Sequence, residues 1–130
     1  MQSNLTGIII DDDYDEVDVL SMFLEIKGYD VVGKGRNGYD VVGKGRNGYD
    51  VVTLYEKNNP DFVILGVNMS QCAGTHAIEE IKKINYNANI FVLANPKFKD
   101  FGNDVIILSK PCDFYEILES IEMNCMSNLI

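Results

Sequence analysis

Residues 8–20 read IIIDDDYDEVDVL. Three isoleucines stop abruptly at three aspartates, and Val17, Leu20, Phe23 and Leu24 then recur at helical spacing until Gly28, a helix stop behind Lys27. A buried strand over residues 7–10 running straight into an amphipathic helix is the opening of an α/β unit, and the rest of the chain repeats it. Residues 29–32 read as a second strand. Val51, Leu54 and Tyr55 mark a helix that ends at Asn58, Asn59 and Pro60. Phe62, Val63, Ile64 and Leu65 form a third apolar run, residues 90–93 a fourth and residues 105–108 a fifth. Ala77, Ile78, Ile81 and Ile84 mark a helix after Gly74, and Phe114, Ile117, Leu118 and Ile121 mark the closing one. Strands this apolar are buried on both faces, and helices between them require parallel pairing. Right-handed crossovers then produce an open doubly wound sheet, in which function sits at the carboxyl ends of the strands.

The bulk composition agrees with one soluble domain over residues 1–130, with 46% hydrophobic and 24% charged residues. A net charge of −9 argues against nucleic acid or an anionic membrane as the main partner. Cys72, Cys112 and Cys125 have no paired spacing, so they read as reduced thiols of a cytoplasmic protein instead of a disulfide framework or zinc site. The start, MQSNLTGIII, has no basic region, and Asp11 ends its short apolar run, so neither a leader nor a membrane span is read there.

The strand ends are where chemistry is expected. Asp11, Asp12 and Asp13 follow the first strand, with Asp15 and Glu16 close behind. Carboxylates this close repel unless a cation or lysine offsets them, and Mg²⁺ takes one or two carboxylates while keeping several waters. Acidic residues in a first helical turn also suit the helix dipole. Asp13 and Asp15 fit that role, while Asp11 and Asp12 fit either. After the fifth strand come Ser109, Lys110 and Pro111, from which a lysine could reach the acidic cluster.

Three blocks in order, IIIDDDYDEVDVL, DFVILGVNMSQCAGTHAIEEIK and ILSKPCD, resemble the receiver domain of two-component response regulators, over nearly the whole chain. The resemblance implies a CheY-like, flavodoxin-like fold: five parallel strands in the order 2-1-3-4-5. It also implies a phosphorylation pocket, in which Asp11 and Asp12 match the acidic pair that binds Mg²⁺ and Lys110 matches the family lysine. Asn68 falls where a backbone carbonyl would reach the metal.

The departures from the family pattern carry the functional reading. Gly66 stands where the family has its phosphoacceptor aspartate, and a glycine forms no acyl phosphate. The change also removes a carboxylate from any Mg²⁺ site. Ala94 replaces the hydroxyl residue, and Ile107 stands at the position of the switch aromatic. Only NPKFKDFGND separates Ala94 from Val105, which is short for a crossover helix, so the fourth helix is expected to be reduced. The implied protein is a pseudo-receiver of a two-component-type signalling system: non-enzymatic, phosphorylation-independent, needing no cofactor, and acting through protein partners such as a histidine kinase or an output protein. The alternative is a vestigial Mg²⁺-binding receiver that accepts phosphoryl on Asp11 or Asp12.

One motif lies outside that pattern. Residues 28–37, GYDVVGKGRN, are repeated without change at 38–47, and a third copy begins GYDVV before departing. GKGRNG fits a dinucleotide-binding loop, but that fingerprint belongs after the first strand, where this chain has DDD, so a nucleotide-binding protein is the lesser alternative. Insertion of one unit by misalignment accounts for the repeat. With the first copy as strand 2, the surplus copy is expected between strand 2 and helix 2, where a loose edge invites homodimers by edge pairing or exchange of the insertion. Lys34, Arg36, Lys44 and Arg46 read as solvated loop charge, and the single histidine, His76, as a solvent-facing helix residue in preference to a phosphohistidine carrier.

Overall fold

A computed structural model of the chain describes residues 5–11, 14–27, 39–45, 51–66, 71–94, 105–109 and 113–126. Strands β1 (Leu5–Ile10), β2 (Tyr39–Gly45), β3 (Phe62–Leu65), β4 (Ile90–Ala94) and β5 (Ile106–Ser109) alternate with helices α1 (Tyr14–Lys27), α2 (Val51–Asn58), α3 (Gln71–Ile84) and α4 (Phe114–Ile121). A π-helical turn, Glu122–Met126, extends α4. All strand pairs are parallel, in the order β2-β1-β3-β4-β5. This is the expected doubly wound, CheY-like architecture.

Each central strand sends alternate side chains to opposite faces, as strand geometry requires. Ile8, Ile10, Val63, Leu65, Ile90 and Val92 pack under α2 and α3 through Val51, Tyr55, Ala77, Ile78 and Ile81. Ile9, Phe62, Ile64, Phe91 and Leu93 pack under α1 and α4 through Leu20, Leu24, Ile117 and Ile121. Both faces are therefore covered, which explains why these strands are apolar throughout instead of alternating.

Local chemistry sets the boundaries. Asn59 closes α2 in the left-handed region, with φ of 43°, a conformation asparagine tolerates well, and its N–H donates to the Tyr55 carbonyl at 2.8 Å. Asp113 caps α4, its carboxylate accepting from the Glu116 N–H at 2.9 Å. At the amino edge of the sheet, Asp61 ties β3 to β1. The Thr6 N–H donates to its Oδ2 at 2.8 Å, and the Asp61 N–H returns a bond to the Thr6 carbonyl at 2.7 Å. This clamp fixes the register that brings the far ends of the two strands together.

The second strand differs from expectation. β2 is formed by the second copy of the repeat, so the extra residues enter before it, in the connection from α1, and not between β2 and α2. Pattern and propensity cannot separate two identical copies. With the second copy as β2, residues 46–50 lead from Gly45 to Val51, a usual length for a strand-to-helix connection. Residues 28–38, including the expected strand 29–32, lie outside the described residues. β2 also carries a bulge, since Gly7 pairs with Val41 and Ile8 with Gly43, leaving Val42 as the extra residue.

Three smaller differences follow. α3 begins at Gln71, so Gly74 lies inside it instead of preceding it. β4 extends to Ala94, and β5 begins one residue later than its apolar run. The expected reduction of the fourth family helix falls on residues 95–104, outside the described residues. Among the described residues no helix is long and apolar enough to cross a membrane.

Cys125, on the π-helical turn, is a free thiol packed into the α1–α4 core at 9% exposure. Burial pushes its pKa from 9.0 up to about 11, and the Asp61 carboxylate adds to the rise. The folded state favours the neutral thiol, so this stabilisation is complete below pH 9.0 and is lost as pH rises through about 11. In a chain carrying Cys72→Ser and Cys112→Ser, iodoacetamide at neutral pH is expected to leave native Cys125 unmodified and to label it only in step with unfolding. Rapid labelling of the native chain would contradict this burial.

Candidate functional site

The carboxyl edge of the sheet brings Asp11 and Gly66 together. Ile10 is in register with Leu65, and the Gly66 N–H donates to the Ile10 carbonyl at 2.6 Å. The two following positions, one on each strand, therefore lie side by side. Asp11 is only 2% exposed, the one buried charged residue among those described. A Cβ added to Gly66 would land on the carboxyl group and Cβ of Asp11. The Asp11 carboxylate thus occupies the space that a side chain at position 66 would need, and glycine is required for that approach. A buried carboxylate is tolerated only where it is partnered, and Asp11 is partnered.

The remaining sequence candidates are placed less fully. Ala94 ends β4 in register with Ser109, on the same edge as Asp11 and Gly66. Ile107 pairs with Val92 on β5 and is 39% exposed; its alternation with Ile106 and Leu108 directs it to the α2–α3 face. Asp12, Asn68 and Lys110 lie outside the described residues. His76 is an exposed residue within α3. In the second copy of the repeat, Gly43, Lys44 and Gly45 pair with Ile8, Ile9 and Ile10 as edge strand, so those glycines serve a ladder and not a phosphate loop. Lys34, Arg36 and Arg46 are outside the described residues.

Mg²⁺ is the one cofactor the pattern implies. It demands oxygen ligands in octahedral geometry and gives up its waters reluctantly. Among the described residues no group of three His, Cys, Asp or Glu side chains could hold a metal ion. Position 66 contributes no carboxylate, and Asp11, turned into a buried space, is withdrawn from solvent. Asp12 and Asn68, the other residues that the family pattern gives the ion, lie outside the described residues.

The profile of the response regulator receiver domain matches residues 8–122. The chain belongs to the receiver domain family. Among solved structures, the CheY-like receiver domain protein from Methanospirillum hungatei JF-1 matches with TM-score 0.77 and 19% identity, over 98% of each chain. The CheX–CheY–BeF₃–Mg complex from Borrelia burgdorferi matches with TM-score 0.73 and 19% identity, over 97% of this chain and 90% of that one. A LuxR-family two-component response regulator from Aurantimonas sp. SI85-9A1 matches with TM-score 0.74 and 19% identity, over 96% of this chain and 87% of that one. At these identities the likeness establishes the fold. The search of curated proteins finds no match.

Receiver domains are generally non-enzymatic signalling modules that bind Mg²⁺ at the phosphorylation site and contact kinases, phosphatases and output domains. In this receiver the sequence candidates missed a surface. Val19, Met22 and Ile26 of α1 are 54%, 61% and 65% exposed, and their i, i+3, i+7 spacing places them in one stripe. Tyr115 of α4 is also exposed, and its ring meets Phe23 edge-on with centroids 5.2 Å apart, which sets it beside α1. The available signal was the excess of apolar residues on α1 beyond buried Leu20 and Leu24 and half-buried Phe23.

Proposed function

We propose that this receiver is a phosphorylation-independent pseudo-receiver of a two-component-type signalling system that acts by binding protein partners. The observation that carries the reading is the Asp11 carboxylate seated over Gly66. The acceptor position has no side chain, and its space is taken by the residue that in the family pattern would help hold the metal. Ala94 supplies no hydroxyl and Ile107 no switch aromatic. The partner class is a histidine kinase or an output protein. The apolar stripe of Val19, Met22 and Ile26, with Tyr115 beside it, is rimmed by exposed Asp15, Asp18, Glu25, Glu116 and Glu119. That pattern fits a protein surface with an apolar stripe and basic flanks.

In a second reading the phosphoryl group goes to Asp12, outside the described residues, or to Asp11 itself. The 2% exposure of Asp11 counts against the latter, because a donor must reach the attacking oxygen. Incubation with phosphoramidate and Mg²⁺, followed by intact-mass measurement, is expected to return the unmodified chain. A single phosphoryl adduct that disappears in Asp11→Asn or in Asp12→Asn would establish the second reading and end the first.

A further inference from the structure

We infer that the two copies of the repeat are interchangeable as the second strand, and that the chain exchanges between two sheet registers ten residues apart. β2 is YDVVGKG at 39–45, and residues 29–35 are YDVVGKG as well. Both stretches follow a glycine and precede Arg-Asn-Gly, so neither strand nor flanks distinguish them. Each pairing that β1 makes with β2, from Leu5 with Tyr39 to Ile10 with Gly45, has a chemically identical counterpart from Leu5 with Tyr29 to Ile10 with Gly35. The bulge would move from Val42 to Val32.

The topology makes the exchange local. β2 is an edge strand whose only ladder is with β1, so the other four strands stay paired while it is replaced. What changes is the location of the spare ten residues. In the observed register, residues 28–38 separate α1 from β2 in the chain, and residues 46–50 separate β2 from α2. In the exchanged register, Gly28 alone joins α1 to the strand, and residues 36–50 span the carboxyl edge. Loop-closure entropy depends only slowly on length, so moving the slack changes the balance little.

The exchange has a functional direction. Ile10 is in register with Gly45, so the end of β2 lies at the same edge as Asp11 and Gly66. The exchanged register delivers a second GYDVV segment with Lys44 and Arg46 to that edge. A partner seated on the carboxyl edge binds the two registers differently and shifts their populations. This consequence does not rest on whether the receiver is phosphorylated.

The test separates the copies by proline, which cannot donate to a ladder. Val41→Pro with Val42→Pro disables the second copy, and Val31→Pro with Val32→Pro disables the first. Each pair alone is expected to leave a folded chain with a cooperative urea transition. In the first variant, amide-exchange protection is expected to move from residues 39–45 to 29–35. All four prolines together, or the second-copy pair in a chain lacking residues 28–37, are expected to abolish the cooperative transition. In the unsubstituted chain, residues 39–45 are expected to exchange at least tenfold faster than the β1 amides Ile8 to Ile10, independently of protein concentration. Loss of folding with the second-copy prolines alone, or complete absence of protection at 29–35 in that variant, overturns the inference. Concentration dependence would overturn it in favour of strand exchange between two chains.

Discussion

Gly66→Asp, which writes the family's acceptor back into the chain, is expected to destabilise the metal-free protein by about 3 kcal/mol. The backbone at 66 is held by its hydrogen bond to the Ile10 carbonyl and by the pairing of Leu65 with Ile10, so it does not yield to a new side chain. The added Cβ meets the Asp11 carboxyl group, which must rotate out of a space where it is almost fully buried. Two carboxylates then share one edge, and their repulsion adds to the steric cost. Urea unfolding measures the loss, and Asp11→Ala in the Gly66→Asp chain is expected to recover most of it. Mg²⁺ changes the sign of the effect: with two outward carboxylates the ion has ligands, so millimolar Mg²⁺ is expected to stabilise the Gly66→Asp chain and leave the unsubstituted one unchanged. On the proposed reading, phosphoryl transfer to the introduced carboxylate would still lack the hydroxyl and aromatic partners, because Ala94 and Ile107 remain. A neutral Gly66→Asp substitution, indifferent to Asp11→Ala, would show that Asp11 is not seated over position 66 and would remove the main support for the pseudo-receiver reading.

How far this site is legible in the sequence depends on which kind of information each residue carries. Phe62 to Leu65 and the closing helix from Phe114 are readable to the residue, because continuous apolar runs and i, i+3, i+4, i+7 spacing report burial directly. That position 66 carries no carboxylate is readable from Gly66 alone. That Asp11 takes up the vacated space is not, since side-chain placement across two strands depends on register, and Asp11 is one of three consecutive aspartates. The position of the second strand escapes for a different reason. Two identical copies contain no local preference by which pattern or propensity could choose between them. The start of α3 lies earlier than Gly74 suggests, because tertiary packing of Ala77, Ile78 and Ile81 carries the helix across that glycine.

Phe62 supplies the largest expected effect in the core. It is fully buried, meets Phe91 edge-on with centroids 6.5 Å apart, and anchors the face covered by α1 and α4. Phe62→Ala is expected to cost about 3–5 kcal/mol, the range for deleting a buried aromatic ring. The ring also explains a glycine that strand propensity disfavours. A Cβ on Gly7 would penetrate the Phe62 ring, and Gly7 sits at the bulge where β1 and β2 change register. Gly7→Ala alone is therefore expected to cost about 1–3 kcal/mol by overpacking. In the Phe62→Ala background the three nearest atoms that the new Cβ would meet are gone, so its cost is expected to fall sharply, and the double variant should be about as stable as Phe62→Ala. Urea midpoints for the four chains measure this coupling directly. Additive losses would mean that Gly7 is required by the bulge itself and not by the ring. The distinction matters for function, because Phe62 and Gly7 are in register at the base of β1 and β3. The same ladder runs from this pair to Ile10 and Leu65, beyond which Asp11 meets Gly66.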